Sequence, residues 1–147
     1  MRWSISNDHS VGYWVAGKID GSYWAEKSRA LGLIRDGQIV AGCIYENFNG
    51  RSVVVHLAIG GRLNAAFLAA LFDYGFNVMG TEKAIAPVAS ANVRSVALVE
   101  HMGYRLEGKI EGARPDGDIL IYTMRKSDCR FLGGRYGKKL TRTPSGS

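Results

Sequence analysis

Two Asx-Gly pairs, Asp36-Gly37 and Asn49-Gly50, punctuate the stretch LGLIRDGQIVAGCIYENFNGRSVVVHLAIGG. Both residues of such a pair tolerate positive φ, so each pair marks a hairpin turn. The chain between Leu31 and Gly61 is therefore expected to form three consecutive antiparallel strands. If Asn49-Gly50 is a two-residue turn, Tyr45 pairs with Val54 and Cys43 with His56. Tyr45, His56, Cys43 and Asn47 then share one face, and Glu46, Val53 and Val55 share the other. Just past Gly60-Gly61 the apolar period changes. Leu63, Phe67, Leu68, Leu71, Phe72 and Phe76 form a broad helical stripe, with Gly80 as its stop.

The flanking segments complete an alternating order. RWSIS alternates and predicts a short first strand. Asp8 is placed to cap a helix running to about Ile19, with Val11, Trp14, Val15 and Ile19 at helical spacing. KIDGSYWAEKSRA is turn-rich, with room for a second short helix. KAIAPVAS predicts a short buried strand, in which Pro87 argues for an edge position or a bulge. SANVRSVALVEHMGYRLEG predicts a second long helix. Ser90 or Asn92 is its cap, Val96, Leu98, Val99 and Met102 are its apolar residues, and Gly103 is a left-handed C-cap before a packed Tyr104. YRLEGKIEG and DILIYTMRK then predict two closing strands joined by ARPDGD. This order predicts an α/β (α+β) fold with a mixed sheet and helices on both faces.

The 147 residues suit one domain with a real hydrophobic core, and 46% hydrophobic with 22% charged residues is ordinary for a globular protein. No apolar run reaches the roughly 18 residues of a spanning helix. MRWSISNDHS lacks the apolar core of a signal peptide, so the expectation is a cytoplasmic protein without a membrane role. Cys43 and Cys129 fit a reducing compartment, although one disulfide between them stays open. His9, His56 and His101 lie far apart without ligand spacing, so no metal is expected. Serine-hydrolase, Walker and Rossmann glycine motifs are missing from the sequence.

Charge is unevenly placed. Six of the 19 basic residues but one of the 13 acids lie from Lys126 onward, so the rest of the chain is close to balance. Residues 1–130 are read as the domain and residues 131–147 as a basic tail ending in GGRYGKKLTRTPSGS. Such a tail is either a solvated terminus or a weak, sequence-independent contact for nucleic acid.

The element order, together with N-x-x-S at Asn92–Ser95, eight residues from Ser95 to Gly103-Tyr104, and the following Leu106-Glu107-Gly108, resembles the GNAT acetyltransferases. Within them it is most similar to the ribosomal-protein N-terminal acetyltransferase branch and its short phage-type relatives. The resemblance covers roughly Trp3 to Cys129. It implies a mostly antiparallel sheet of about seven strands whose central parallel pair, VVVHLAI and KAIAPVA, splays apart. It further implies acetyl-CoA as cosubstrate, an amine-bearing acceptor, and direct transfer in a ternary complex, by a monomer or homodimer.

The same resemblance assigns residues. The pantetheine arm would lie in the splay against the backbone of Leu57, Ala58, Ile59 and Gly60. The pyrophosphate would sit on amides of Gly60, Gly61, Arg62 and Asn64 at a helix start. Asn92 would bond the pantetheine amides. Many members carry a tyrosine further along this helix to protonate the leaving thiolate. Val99 stands there, so Ser95 would take that role. The branch's glutamate between the last two strands is replaced by Arg114. The candidate bases are then His56 and Glu46, with Glu111 and Asp118 near the turn. The loop GGRLN also departs from the family's glycine spacing. Trp3, Trp14 and Trp24 are either core packing or one wall of the acceptor pocket. Two other readings stay open: transfer to nucleic acid or a nucleic-acid-bound protein, and a catalytically degenerate binding module.

Overall fold

A computed structural model describes residues 2–133. Residues 134–147, most of the expected basic tail, lie outside it. The elements are β1 (Trp3–Ser6), α1 (His9–Lys18), β2 (Arg29–Arg35), β3 (Gln38–Glu46), β4 (Ser52–Ile59), α2 (Ala65–Asp73), β5 (Lys83–Ala89), α3 (Val93–Met102), β6 (Arg105–Arg114) and β7 (Gly117–Arg125). A π-helical stretch, Tyr74–Val78, continues α2. One seven-stranded sheet holds them in the order β1-β2-β3-β4-β5-β7-β6. All neighbours are antiparallel except β4 and β5, which are parallel. The expected mixed, mostly antiparallel architecture is the one observed.

The helix boundaries follow from capping chemistry. The Asp8 side chain accepts from the Ser10 amide and Asn64 from that of Phe67, while Asn92, not Ser90, caps α3 by accepting from that of Ser95. Gly103 ends α3 at φ 103°, which a Cβ would penalise. The turn-rich stretch KIDGSYWAEKSRA, which had room for a second short helix, holds turns between α1 and β2. Tyr23 instead folds back over α1, with its ring where a Cβ at Gly12 would stand and its hydroxyl hydrogen-bonded to His9 Nδ1 at 2.7 Å.

The two faces of the sheet are covered unequally. The larger core lies under α2 and α3, where Phe67, Leu71, Phe72, Val99 and Met102 meet Leu31, Leu33, Cys43, Tyr45, Val53 and Val55. Phe131 completes this core by stacking on Phe72 at 4.7 Å, so the body continues past residue 130. The opposite face carries α1 alone, with Val11 and Val15 packed near Ala30, Ile44 and Ala58. Trp3 packs with the larger core and Trp14 with the smaller, while Trp24 is 67% exposed. The three tryptophans are thus not one cluster.

The β3–β4 register differs from the two-residue-turn expectation by one. Tyr45 pairs with Val55, Ile44 with His56 and Cys43 with Leu57. The turn absorbs an extra residue. Asn47 takes φ 55° and Gly50 φ 91°, while the Asn49 carboxamide accepts from the amides of Arg51 and Ser52. A one-residue slip inverts faces. Cys43, Tyr45, Val53 and Val55 therefore lie together in the larger core, and Glu46 and His56 share the α1 face.

The seat of α1 is a row of small residues. Gly32 pairs with Gly42, and Gly42 with Ala58. A Cβ on Gly42 would stand 2.6 Å from Val15 Cγ2 and 2.9 Å from Val11 Cγ1. Gly42→Ala is expected to cost about 1–3 kcal/mol by overpacking, read as a lower denaturation midpoint. Gly17→Ala, in the same helix with nothing within 4 Å of the new Cβ, should instead stabilise by about 0.5–1 kcal/mol.

Candidate active site

The site begins where a ladder stops. β4 and β5 pair only from Ser52–Val54 to Lys83–Ile85. Beyond that, β4 stays paired to β3 as far as Ile59 and β5 to β7 as far as Ala89. From Val55 to Ile59 and from Ala86 to Ala89, one edge of each strand thus faces a gap. Every second residue along such an edge directs its N–H and C=O into that gap. Pro87 falls in this opened part. It is interior in strand order, not at the sheet's edge as expected, yet it lies beyond the last β4 partner, where a missing N–H breaks no β4–β5 bond.

At the apex stand His56 and Glu46. His56 follows Val54 by one pleat on the same face, and its Nε2–H donates to Glu46 Oε1 at 2.6 Å. The side chains are 25% and 23% exposed. A carboxylate on Nε2 leaves Nδ1 of the neutral ring as the acceptor nitrogen. The sequence offered these residues as separate candidates on opposite faces; the structure joins them.

The first turn of α3 stands at the end of β5, on the other face of the sheet from this pair. Ser95 is partly buried there, and its amide is held by Asn92 Oδ1 at 3.1 Å. That bond occupies the Asn92 carbonyl oxygen and leaves its Nδ2 group as donor. Ser90 clamps the end of β5 to β7, its hydroxyl accepting from the Asp118 amide at 2.9 Å. Glu111 lies near the end of β6 and Asp118 at the start of β7. Asp118 accepts from the Gly112 amide, and Glu111 is 80% exposed beside Lys109.

The loop Gly60–Asn64 leaves β4 toward the β2–β3 turn. The Gly60 amide donates to the Val40 carbonyl at 2.7 Å, and the Trp14 ring lies within 3.5 Å of where a Gly60 Cβ would be. Asn64 accepts from Phe67 at 2.8 Å, so its Oδ1 serves the helix cap. Arg62 and Leu63 border an open groove of about 550 Å³ with Asn64, Val40 and Arg35. Arg35 is the residue that sequence reading missed. It donates to the Arg62 carbonyl, and its Nε is buried without a partner among the described residues. Its position just before the Asp36-Gly37 turn was the available signal. Two guanidinium groups beside a helix N-terminus favour an anion.

The nucleophile inventory is short. Cys43 is buried and its thiol pushed up to about 12 by burial, so it is inert, and both cysteines are free thiols. Among the described residues no group of three or more His, Cys, Asp or Glu side chains could hold a metal ion, and no helix is long and apolar enough to cross a membrane. Tyr122, 2% exposed, ties the sheet to α3 by donating to Glu100 Oε2 at 2.7 Å.

Comparison with known structures places the fold among acetyltransferases. The crystal structure of a spermidine N-acetyltransferase from Vibrio cholerae, in complex with CoA and spermine, aligns with a TM-score of 0.68 at 14% identity, covering 86% of this chain and 97% of that one. A mutant of the Vibrio cholerae enzyme aligns over 96% of this chain and 98% of its own, with a TM-score of 0.64 at 16% identity. A probable acetyltransferase gives a TM-score of 0.64 at 17% identity, covering 86% and 94%. At these identities the likeness establishes the fold. Neither a family profile nor a curated protein matches the sequence.

Tyr122 supplies a test of how α3 is held. Its hydrogen bond to Glu100 comes first and burial second in pushing its hydroxyl up to about 12 from an ordinary 10. A raised folded pKa gives stability that is complete below pH 10 and lost as the pH climbs to 12. Tyr122→Phe should therefore cost about 1 kcal/mol at neutral pH, and its gap to the parent should close between pH 10 and 12 in denaturation curves.

Proposed function

We propose that this chain is an acetyl-CoA-dependent N-acyltransferase that moves the acetyl group directly to an amine within a ternary complex. The observation that carries the reading is the parting of β4 and β5 after Val54 and Ile85, with the His56–Glu46 pair at its apex. An extended, amide-bearing arm suits such a slot because it can use the strand edges as an added strand would.

The roles follow from chemistry. Of Leu57, Ala58, Ile59 and Gly60, the alternate residues Leu57 and Ile59 turn backbone groups to the pantetheine arm and N–H donors to the carbonyl oxygen as it gains charge, because the Gly60 amide is held by the Val40 carbonyl on β3. Gly61, Arg62 and Asn64 receive the phosphates by backbone amides ahead of α2, the Gly60 amide being held by the Val40 carbonyl, and the Arg35 and Arg62 side chains add charge. Asn92 donates through Nδ2 to the arm. His56, held by Glu46, accepts through Nδ1 the proton that the amine loses as its nitrogen bonds to the thioester carbon. The carbon–sulfur bond then breaks, and the Ser95 hydroxyl donates a hydrogen bond to the departing thiolate, which takes up a proton from water. His56 returns the amine's proton to water, so the products are an amide and a free thiol, and both side chains end as they began.

Two further features favour this reading over a degenerate binding module and suit its setting. A hydrogen-bonded His56–Glu46 pair stands beside the gap, where transfer to an amine would use it and a module that only binds needs none. Two free thiols suit the reducing cytoplasm. The finer resemblance, to the ribosomal-protein N-terminal acetyltransferase branch and its short phage-type relatives, is part of the same proposal, with an amine-bearing acceptor of no assigned class.

Acetyl-CoA at a hundred times its Kd should stabilise the chain by about 2.7 kcal/mol, read as a rise in melting temperature. Ser95→Ala and His56→Gln should keep that rise while lowering kcat by about 10²–10⁴. A melting temperature indifferent to millimolar acetyl-CoA defeats the proposal. So does a Ser95→Ala, His56→Gln double variant with unchanged turnover.

A further inference from the structure

The α1 face of the sheet is covered over β2, β3 and β4 only. Across β5, β7 and β6 no helix of the described residues lies on that face: Ile85, Pro87, Ile119 and Ile121 are part-buried there, Thr123 is buried and Ile110 is exposed. Ala84, Ala86 and Val88 of β5, with Leu120, Tyr122 and Met124 of β7, point into the larger core. The alternate residues point the other way. Register puts them in rows: Ala89, Ile119 and Ile110; then Pro87, Ile121 and Gly108; then Ile85, Thr123 and Arg105. Ile85, Ile119, Ile121 and Ile110 belong to neither core cluster, and Ile110 is 53% exposed.

This apolar floor is continuous with the acid–base pair. Ile85 is the last β5 residue paired to β4, opposite Val54. One pleat further on, on the same face, His56 stands on one side of the gap and Pro87 on the other. A molecule whose amine reaches His56 Nδ1 from this face has Pro87, Ile121 and Ile119 beside it, across the gap from His56.

The bordering charges define that body further. Glu46, Glu107, Glu111 and Asp116 each already hold a base: His56, Lys83, Lys109 and Arg114. Glu107 also accepts from Thr123 Oγ1 at 2.8 Å, and its carboxyl sits below the ordinary range, chiefly through its hydrogen bonds from Lys83 and Thr123. At the foot of the floor Lys83, Arg105 and Arg125 outnumber Glu107. A chain with several ammonium groups would meet paired carboxylates and surplus cations, and would leave apolar surface wet.

We propose that the acceptor is a primary amine carried on an apolar body, lying on the helix-free β5–β7–β6 face, and that this face discriminates against polyamines. The proposal rests on the acyltransferase reading above. It deepens that reading from an amine of any kind to one class.

The test compares phenylethylamine with spermidine as acceptors, following thiol release from acetyl-CoA, with the thermal shift by acetyl-CoA measured alongside. Phenylethylamine is expected to have at least a tenfold higher kcat/KM. Ile121→Glu should reduce that ratio about tenfold or more while leaving the acetyl-CoA shift in place. Ile110→Glu, at an already exposed edge position, should act in the same direction and guards against a variant that fails to fold. An acetyl-CoA shift together with a preference for spermidine overturns the specificity alone. So does an Ile110→Glu variant that turns a dimer into a monomer with the ratio unchanged, since the face would then belong to a second copy. No shift by acetyl-CoA in the parent chain overturns the underlying reading and this proposal with it.

Discussion

A parallel ladder that runs for only three residue pairs controls this molecule. Backbone N–H and C=O groups are obligatory hydrogen-bonding partners, and a sheet interior ordinarily satisfies them by continuing to pair. Here β4 and β5 stop pairing while each remains fixed by its other neighbour, β3 or β7. The two outer ladders hold the strands apart as rigid jaws. The sequence is consistent with that arrangement. Pro87 contributes no N–H in the opened part, and Gly60 and Gly61 let the chain turn tightly against Trp14 and Val40 as it leaves β4. Both helices that follow the jaws, α2 and α3, start with an asparagine cap, so their first turns are defined by side chains of the chain itself.

His56 and Glu46 solve a second constraint together. Each is about three-quarters buried beside the α1 core, where an unpaired charge would be costly. Pairing removes that cost and fixes the imidazole's orientation in the same contact. The geometry that makes the pair tolerable is also the one that gives Nδ1 a defined direction. Cys43 and Tyr45, on the opposite face of the same strand, show the contrast. Burial pushes both far from ionisation, and Tyr45 donates to the Leu71 carbonyl at 2.6 Å as a structural group.

Much of this was legible in the sequence because it is written in local chemistry. Asp8, Asn92, Gly103 and Asp36-Gly37 act within a few residues of themselves, and all four do what their types dictate. The errors are non-local. Asn49-Gly50 does sit in a turn, but whether that turn holds two residues or absorbs Asn47 as well is decided by how β3 and β4 must pack between two cores. That single residue moved His56 from Tyr45's face to Glu46's. Arg35 was missed for a like reason: the Asp36-Gly37 turn places it at a strand end, but the loop Gly60–Asn64 reaches it only after β3 and β4 are in place. Phe131 lay beyond the expected domain end because its partner, Phe72, is 59 positions earlier.

The turn-rich stretch between α1 and β2 ties these points together. A helix after α1 would have been the natural cover for the remaining half of the α1 face. Tyr23 instead docks on α1 itself, filling the notch at Gly12, and the chain enters β2 without crossing the sheet. The row Gly32, Gly42, Ala58 then draws α1 tightly over β2, β3 and β4 and no further. Leaving β5, β7 and β6 without a helix keeps Ile85, Ile119 and Ile121 only part-buried and leaves Ile110 exposed. That area starts at the edge of the gap between β4 and β5, across from His56. An apolar surface that begins at an imidazole oriented by a carboxylate is more simply understood as part of the site than as a defect of the fold.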